Sequence, residues 1–355
     1  MKLNQLSSSV FTIMLIALFA FGCKPKTPKP ETKSGVEYYR NLQFSETPFD
    51  LEKGTHKLTP EEARNVNSYK FTYDDLGRLV SVEFVRGDVL LGYSDMGNAS
   101  KVTYTYTDGM QMKHFFDSKN QPVESQGVFA YEYSLDETGM RRGLMYLDKD
   151  GKMIENRNKV HSFVWTKLPD GMIKENRYNL AGTEVIMNEF CPFFELRFSY
   201  NDKGYTTRMA NYQGDSLYNC TAENCGDIGV SYFSFVPNEN GDLTSFSVHN
   251  VVGQLSNLYW GWAKRLNKFD ENGYVIETAV YDQDDEYLSG KNVPVTQYEY
   301  DEHGAVVKIK NMDKDRNLMN HPENGIAITE YVYDPTGQRA DTLTYNKDSK
   351  PIAMK

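Results

Sequence analysis

Tyr298-Glu299-Tyr300-Asp301-Glu302-His303-Gly304-Ala305-Val306-Val307-Lys308-Ile309 is the stretch that decides the fold. Tyr298 and Tyr300 are two residues apart, so on a strand both rings point to one face. Asp301 and Gly304 frame a turn. The acid can accept bonds from nearby backbone N–H groups, and glycine takes the positive φ that such turns demand. Val307 and Ile309 then restore the alternation, so the stretch reads as a β-hairpin. A second turn is expected at Asp313 to Arg316, followed by a short apolar return.

Working outward, the same phrase of aromatic, acid or amide, two variable residues and glycine recurs along the chain. Clear copies turn on Gly77, Gly204, Gly273, Gly304 and Gly337, and looser ones on Gly109, Gly139, Gly171 and Gly241. From 77 to 337 successive turn glycines are 32, 30, 32, 33, 37, 32, 31 and 33 residues apart. A fixed period in this range specifies a repeat architecture in which each unit completes its neighbour's core. About nine units are expected over 69–355. Each is read as a hairpin plus a connecting strand, and the second turn, drifting to Asp285, Arg316 or Ser349, is read as tolerant of residues other than glycine. The fold class is therefore all-β, a repetitive antiparallel hairpin array, either solenoid-like or a curled extended sheet.

The aromatic-Asp-x-x-Gly hairpin resembles the YD repeats of Rhs-type bacterial surface proteins. That resemblance covers roughly Tyr69 to Met354 and implies a repetitive β-sheet and no particular reaction. Segment 37–68 differs. Leu58-Thr59-Pro60-Glu61-Glu62-Ala63-Arg64 carries a cap residue, a proline at the first helical position and first-turn acids. It predicts a short helical cap over the open end of the array, as an unpaired terminal edge requires.

The front of the chain reads as an export signal over 1–22, with Lys2 ahead of an apolar run from Val10 to Phe21. That run is 12 residues, whereas a spanning helix needs about 20. Gly22-Cys23 resembles the lipobox of bacterial lipoproteins, which implies cleavage before Cys23 and acylation of it. An ordinary secretory signal is the alternative. Residues 23–36 are rich in lysine and proline and form a tether. Lys24 after the cysteine points to the outer membrane by resemblance to known sorting rules.

Acidic residues outnumber basic ones by 49 to 39, and no basic cluster follows the tether, which argues against nucleic-acid binding. Aromatics make up 13% of the chain and concentrate where strands are expected. In an oxidising compartment Cys220 and Cys225 are the expected disulfide, with Cys191 free; Cys191 pairing with either one is the alternative.

No cofactor or metal site is expected. The acids around Asp148, Asp282 and Asp313 have the residue types of a calcium loop but lack its distal glutamate. The six histidines are scattered, and His303 is read as a surface turn residue. Tyr259-Trp260-Gly261-Trp262 is the most unusual composition: two indoles one residue apart on a strand face are either core filling or, exposed, a binding platform. Trp165 reads as structural and Phe190 to Phe194 as a buried strand start.

The expected function is a non-catalytic binding or scaffold module for an envelope protein or a glycan, resting on Tyr259, Trp260 and Trp262. The rivals are a hydrolase of envelope glycans or peptides, using carboxylates from several repeats, and a structural spacer. A concave pair of unusually buried carboxylates would favour the hydrolase.

Overall fold

The structure, a computed structural model, describes residues 35–92, 94–188, 193–218 and 229–352. The expected signal over 1–22, Cys23 with the tether up to residue 34, and Cys191, Cys220 and Cys225 lie outside the described residues.

The described chain forms one 22-stranded antiparallel sheet. Four early strands fix its start: β1 (Gly35–Leu42), β2 (Gly54–Leu58), β3 (Ser68–Tyr73) and β4 (Leu79–Arg86). β1 lies between β2 and β3, and β3 pairs with β4. From there each hairpin joins the next in chain order, as far as the last strand, Arg339–Tyr345. Nine hairpins occur where the nine turn glycines place them. The sheet is open, with β2 at one edge and Arg339–Tyr345 at the other.

The turns work as their residues predict. Asp301 Oδ1 accepts from the backbone N–H of His303 at 2.9 Å and of Ala305 at 2.8 Å, while Gly304 N–H donates to the Asp301 carbonyl. The turn holds one residue more on one strand, so the register shifts between Glu299 and Tyr300. Gly109 belongs to a different turn: Thr107 pairs directly with Met110 across Asp108-Gly109, without a shift.

The second turns accept residues other than glycine, as expected, and keep the shape of the first. Asp313 Oδ1 accepts from the N–H of Asp315 and Asn317 just as Asp301 does, and Arg316 has φ 64. Asp285 and Ser349 are left-handed too, at φ 62 and 59. The conformation is retained where the glycine is lost, so these side chains hold a backbone shape that costs about 1 kcal/mol outside glycine. The return after the turn is a single bridge pair, such as Met312 with Leu318, rather than a connecting strand.

The expected helical cap is also corrected. The helix is one turn, α1 (Pro60–Ala63), with Thr59 and Glu62 forming the capping box. Most of the segment is instead extended and joins the sheet as β1 and β2. The strand signal of Tyr38-Tyr39 outweighs a helix signal that extends for a single turn.

The sheet curls around the segment that links β1 to β2. Successive turn ends meet successive N-terminal residues. Gln43 and Lys53 donate to the Gly204 carbonyl, and Asn41 donates to that of Gly273 at 2.8 Å. The backbone N–H of Asn67 donates to the His303 carbonyl at 2.8 Å, and Arg86 donates to that of Pro335. His303, read as a surface residue, places its Nδ1 2.7 Å from the Asn65 carbonyl. The continuous apolar core lines the inner face from Tyr39 to Leu258, through Phe71, Val102, Phe198 and Phe235. Beyond it the buried apolar residues are few and scattered, such as Ala279 and Val295.

Candidate functional site

Inside the curl lies a cavity of about 1100 Å³ whose wall includes charged side chains from both the sheet and the linking segment. These charges come from strands whose alternation turns them inward. In Ile173–Tyr178 the buried positions are Ile173, Glu175 and Arg177. Glu175 Oε2 accepts from Thr47 Oγ1 at 2.5 Å and from Trp165 Nε1 at 2.9 Å, and its other oxygen accepts from Arg177. Trp165 is thus structural, stacked on Tyr133 and Phe163. Arg177 also donates to the carbonyls of Phe193 and Phe194, of which Phe193 is fully buried and Phe194 exposed.

Arg141 ties the linking segment to the wall. It donates to the carbonyls of Pro48 and Asp50 and to Gln111 Oε1, and its guanidinium lies 3.7 Å from the Tyr133 ring centroid. Glu52 accepts from Tyr104 and from Lys113. Burial opposes ionisation of Glu52, but Lys113 and Arg141 outweigh it and hold the carboxyl below its usual range. Asp50 accepts from Ser45 and Tyr200, and burial raises it. Burial also lifts the Tyr131 hydroxyl to about 12.

Of the acids lining the cavity, Asp50, Glu52 and Glu175 are therefore engaged. Asp95 accepts from Tyr69, and Asp242 lies 2.7 Å from His56 Nε2 and accepts from Asn238. Among the described residues Glu46 alone of these acids has no hydrogen bond or ion pair. Burial lifts its carboxyl to about 7, against a lowering by Arg265. Sequence reasoning missed this set, because Glu175, Arg177 and Arg141 look like ordinary polar strand residues. For Glu175 and Arg177 the signal was phase, since both share a face with Ile173, whereas Arg141 is out of phase with the buried Leu144 and Tyr146 of its strand.

The expected platform is only partly one. Tyr259 to Trp262 forms a turn, not a strand: Gly261, at φ 92, donates to the Leu258 carbonyl, which reverses the chain between the two indoles. Trp260 and Trp262 rings lie 4.8 Å apart, Trp260 Nε1 donates to the Trp262 carbonyl, and both rings pack on Phe246. The indoles are half-buried, whereas Tyr259 is 61% exposed and 5.0 Å from Trp260. Arg265 lies behind this group, over the Phe246 and Trp262 rings. The lead acids of the turns with calcium-loop residue types spend an oxygen on backbone N–H groups, as Asp148 does with Asp150 and Lys152.

No protein-family model matches the sequence, and no curated protein matches it. Among solved structures, a porin-like protein from Bacteroides uniformis is similar at a TM-score of 0.29 and 12% identity, covering 70% of this chain and 88% of that one. A chain of TcdB2-TccC3-Cdc42 is similar at 0.21 and 12%, covering 82% of this chain, which spans only 17% of that one. A putative 6-phosphogluconolactonase from Bacteroides fragilis gives 0.13 and 11%, covering 91% and 98%. At these scores none of them bears on topology or activity. No described helix is long and apolar enough to cross a membrane.

Proposed function

We propose that the protein is a non-catalytic binding or scaffold module of the bacterial cell envelope, built of YD-like repeats and anchored in the outer membrane through an acylated Cys23. The observation that carries the binding reading is the ring group of Tyr259, Trp260 and Trp262. Its indoles are fixed by Phe246 and by the Trp260–Trp262 hydrogen bond, so an exposed aromatic surface is presented with little left to order on binding. Such a group suits a glycan ring or an apolar side chain of an envelope protein.

Gly35 pairs with Tyr73, beside the turn of Gly77. The first described strand thus begins on the rim of the first turns, whereas Tyr259 lies on the rim of the second turns. Glu46 gives the hydrolase reading one point in its favour, a carboxyl lifted to about 7, which exchanges its proton near neutrality. Glycoside cleavage needs a second, available carboxylate, and the other acids of the cavity are engaged.

A photo-cross-linking residue at position 259, in cells making the full chain, tests the binding reading. A single cross-linked protein or glycan, lost in the Trp260→Ala/Trp262→Ala variant, supports it. The absence of any cross-linked product favours a spacer.

A further inference from the structure

Two unpaired groups of opposite charge line the cavity near one another. Glu46, in the linking segment, has no hydrogen bond or ion pair among the described residues, and neither does the guanidinium of Arg265, in the strand Lys264–Phe269. The Nε of Arg265 is buried without an acceptor. The remaining cations of the cavity wall are occupied: Arg40 by Tyr274, Lys113 by Glu52, and Arg177 by Glu175. Arg339 has a partner as well.

Glu46 and Arg265 are close enough to feel each other's charge, yet they form no ion pair. Leaving a buried donor unmade is costly. Side chains as long as these would ordinarily close such a gap. Arg265 is held back by Phe246 and Trp262, whose rings it covers at 5.5 and 5.8 Å. Glu46 is fixed by its neighbours, since the Ser45 hydroxyl donates to Asp50 and the Thr47 hydroxyl to Glu175. Both groups are only half-buried, so solvent reaches them. Asn267, two residues beyond Arg265 on the same strand, adds a polar wall.

We propose that Glu46 and Arg265 are the two ends of a binding site for a small zwitterion of the α-amino acid class. The ligand carboxylate faces the Arg265 guanidinium, and the ligand ammonium faces Glu46, whose carboxyl gives up its proton to solvent beside that positive charge. A zwitterion satisfies both groups at once, whereas a neutral sugar leaves two unscreened charges. The site is independent of the rim aromatics as a capture surface, and it extends the function to a soluble small molecule.

Tryptophan emission reads binding directly, because Arg265 lies over Trp262. The full chain is titrated with free L-amino acids, their N-acetyl and methyl ester derivatives, and glucose. A saturable change with at least one free amino acid is expected. Affinity should fall by about tenfold or more in Glu46→Gln and in Arg265→Gln, and on blocking either charge of the ligand. Arg265→Lys, which keeps the charge, should lose less than Arg265→Gln, and circular dichroism confirms that each variant is folded. No saturable response, equal binding in the charge-removing variants, or binding of glucose instead would overturn the proposal. Any of these leaves the rim reading standing, since that reading is tested by cross-linking at position 259.

Discussion

His56 Nε2 lies 2.7 Å from Asp242 Oδ1, a contact between residues 186 positions apart that fastens the second strand of the chain to a hairpin far along the array. The His56 ring also covers Gly273, where an added Cβ would overlap it. The N-terminal segment is therefore the surface on which the later turns rest, and the curl is held by side chains where backbone pairing ends.

Two glycine substitutions separate the turn from the seam. Gly139 and Gly273 are both left-handed, at φ 81 and 86, but a Cβ at Gly139 meets nothing within 4 Å. Gly139→Ala should cost about 1 kcal/mol from the backbone alone. Gly273→Ala should cost at least about 1 kcal/mol more, because His56 must move. Denaturant unfolding of the two variants checks the difference, and equal losses would mean that His56 is not seated on the turn.

The second turns store strain that can be released. Ser349 is left-handed at φ 59 in a turn otherwise like that of Gly337. Ser349→Gly should raise stability by about 0.5 to 1 kcal/mol, read as an increase in melting temperature. A loss of stability would contradict the equivalence of the two turns.

Lys113 compensates Glu52 inside the curl. Lys113→Met leaves that carboxylate without its ion-pair partner and should cost about 2 to 4 kcal/mol at neutral pH. The Glu52 carboxyl is held below its usual range in the folded state, so the stability it contributes is present above its unfolded pKa and is lost as pH falls through the folded value. The penalty of Lys113→Met should therefore shrink in acid, which unfolding curves at several pH values reveal.

Glu46 has the opposite sign. Its folded carboxyl is lifted to about 7 from 4.5, so the folded state holds the proton more tightly than the unfolded chain. Stability is intact below the unfolded value and declines as pH rises toward 7, by on the order of 3 kcal/mol when complete. Glu46→Gln should be the more stable protein near pH 8, with the difference vanishing near pH 4. Equal stability at both ends would mean that burial does not raise the Glu46 carboxyl.

Much of the architecture was legible because its causes are local. Asp301 and Gly304 define a hairpin through bonds that span four residues, and Tyr298 and Tyr300 define its inner face. Arg316 shows the limit of that reading: a turn that tolerates a side chain is not a turn that has changed shape. The helical cap was overread because the Thr59 box describes one turn of chain and says nothing of its length. The cavity was not legible at all. His56 finds Asp242, and Thr47 finds Glu175, only because the sheet curls, and no local pattern encodes that curvature.

Small-angle X-ray scattering of residues 35–355 tests the curl most directly. A sheet wound around its own N-terminal segment is compact, and a chain of this length then has a radius of gyration of about 20 Å. The same strands laid out as an open ladder would extend over roughly 100 Å at about 4.8 Å per strand. The account predicts a value near the compact one; scattering from an elongated particle would contradict it and remove the cavity with it.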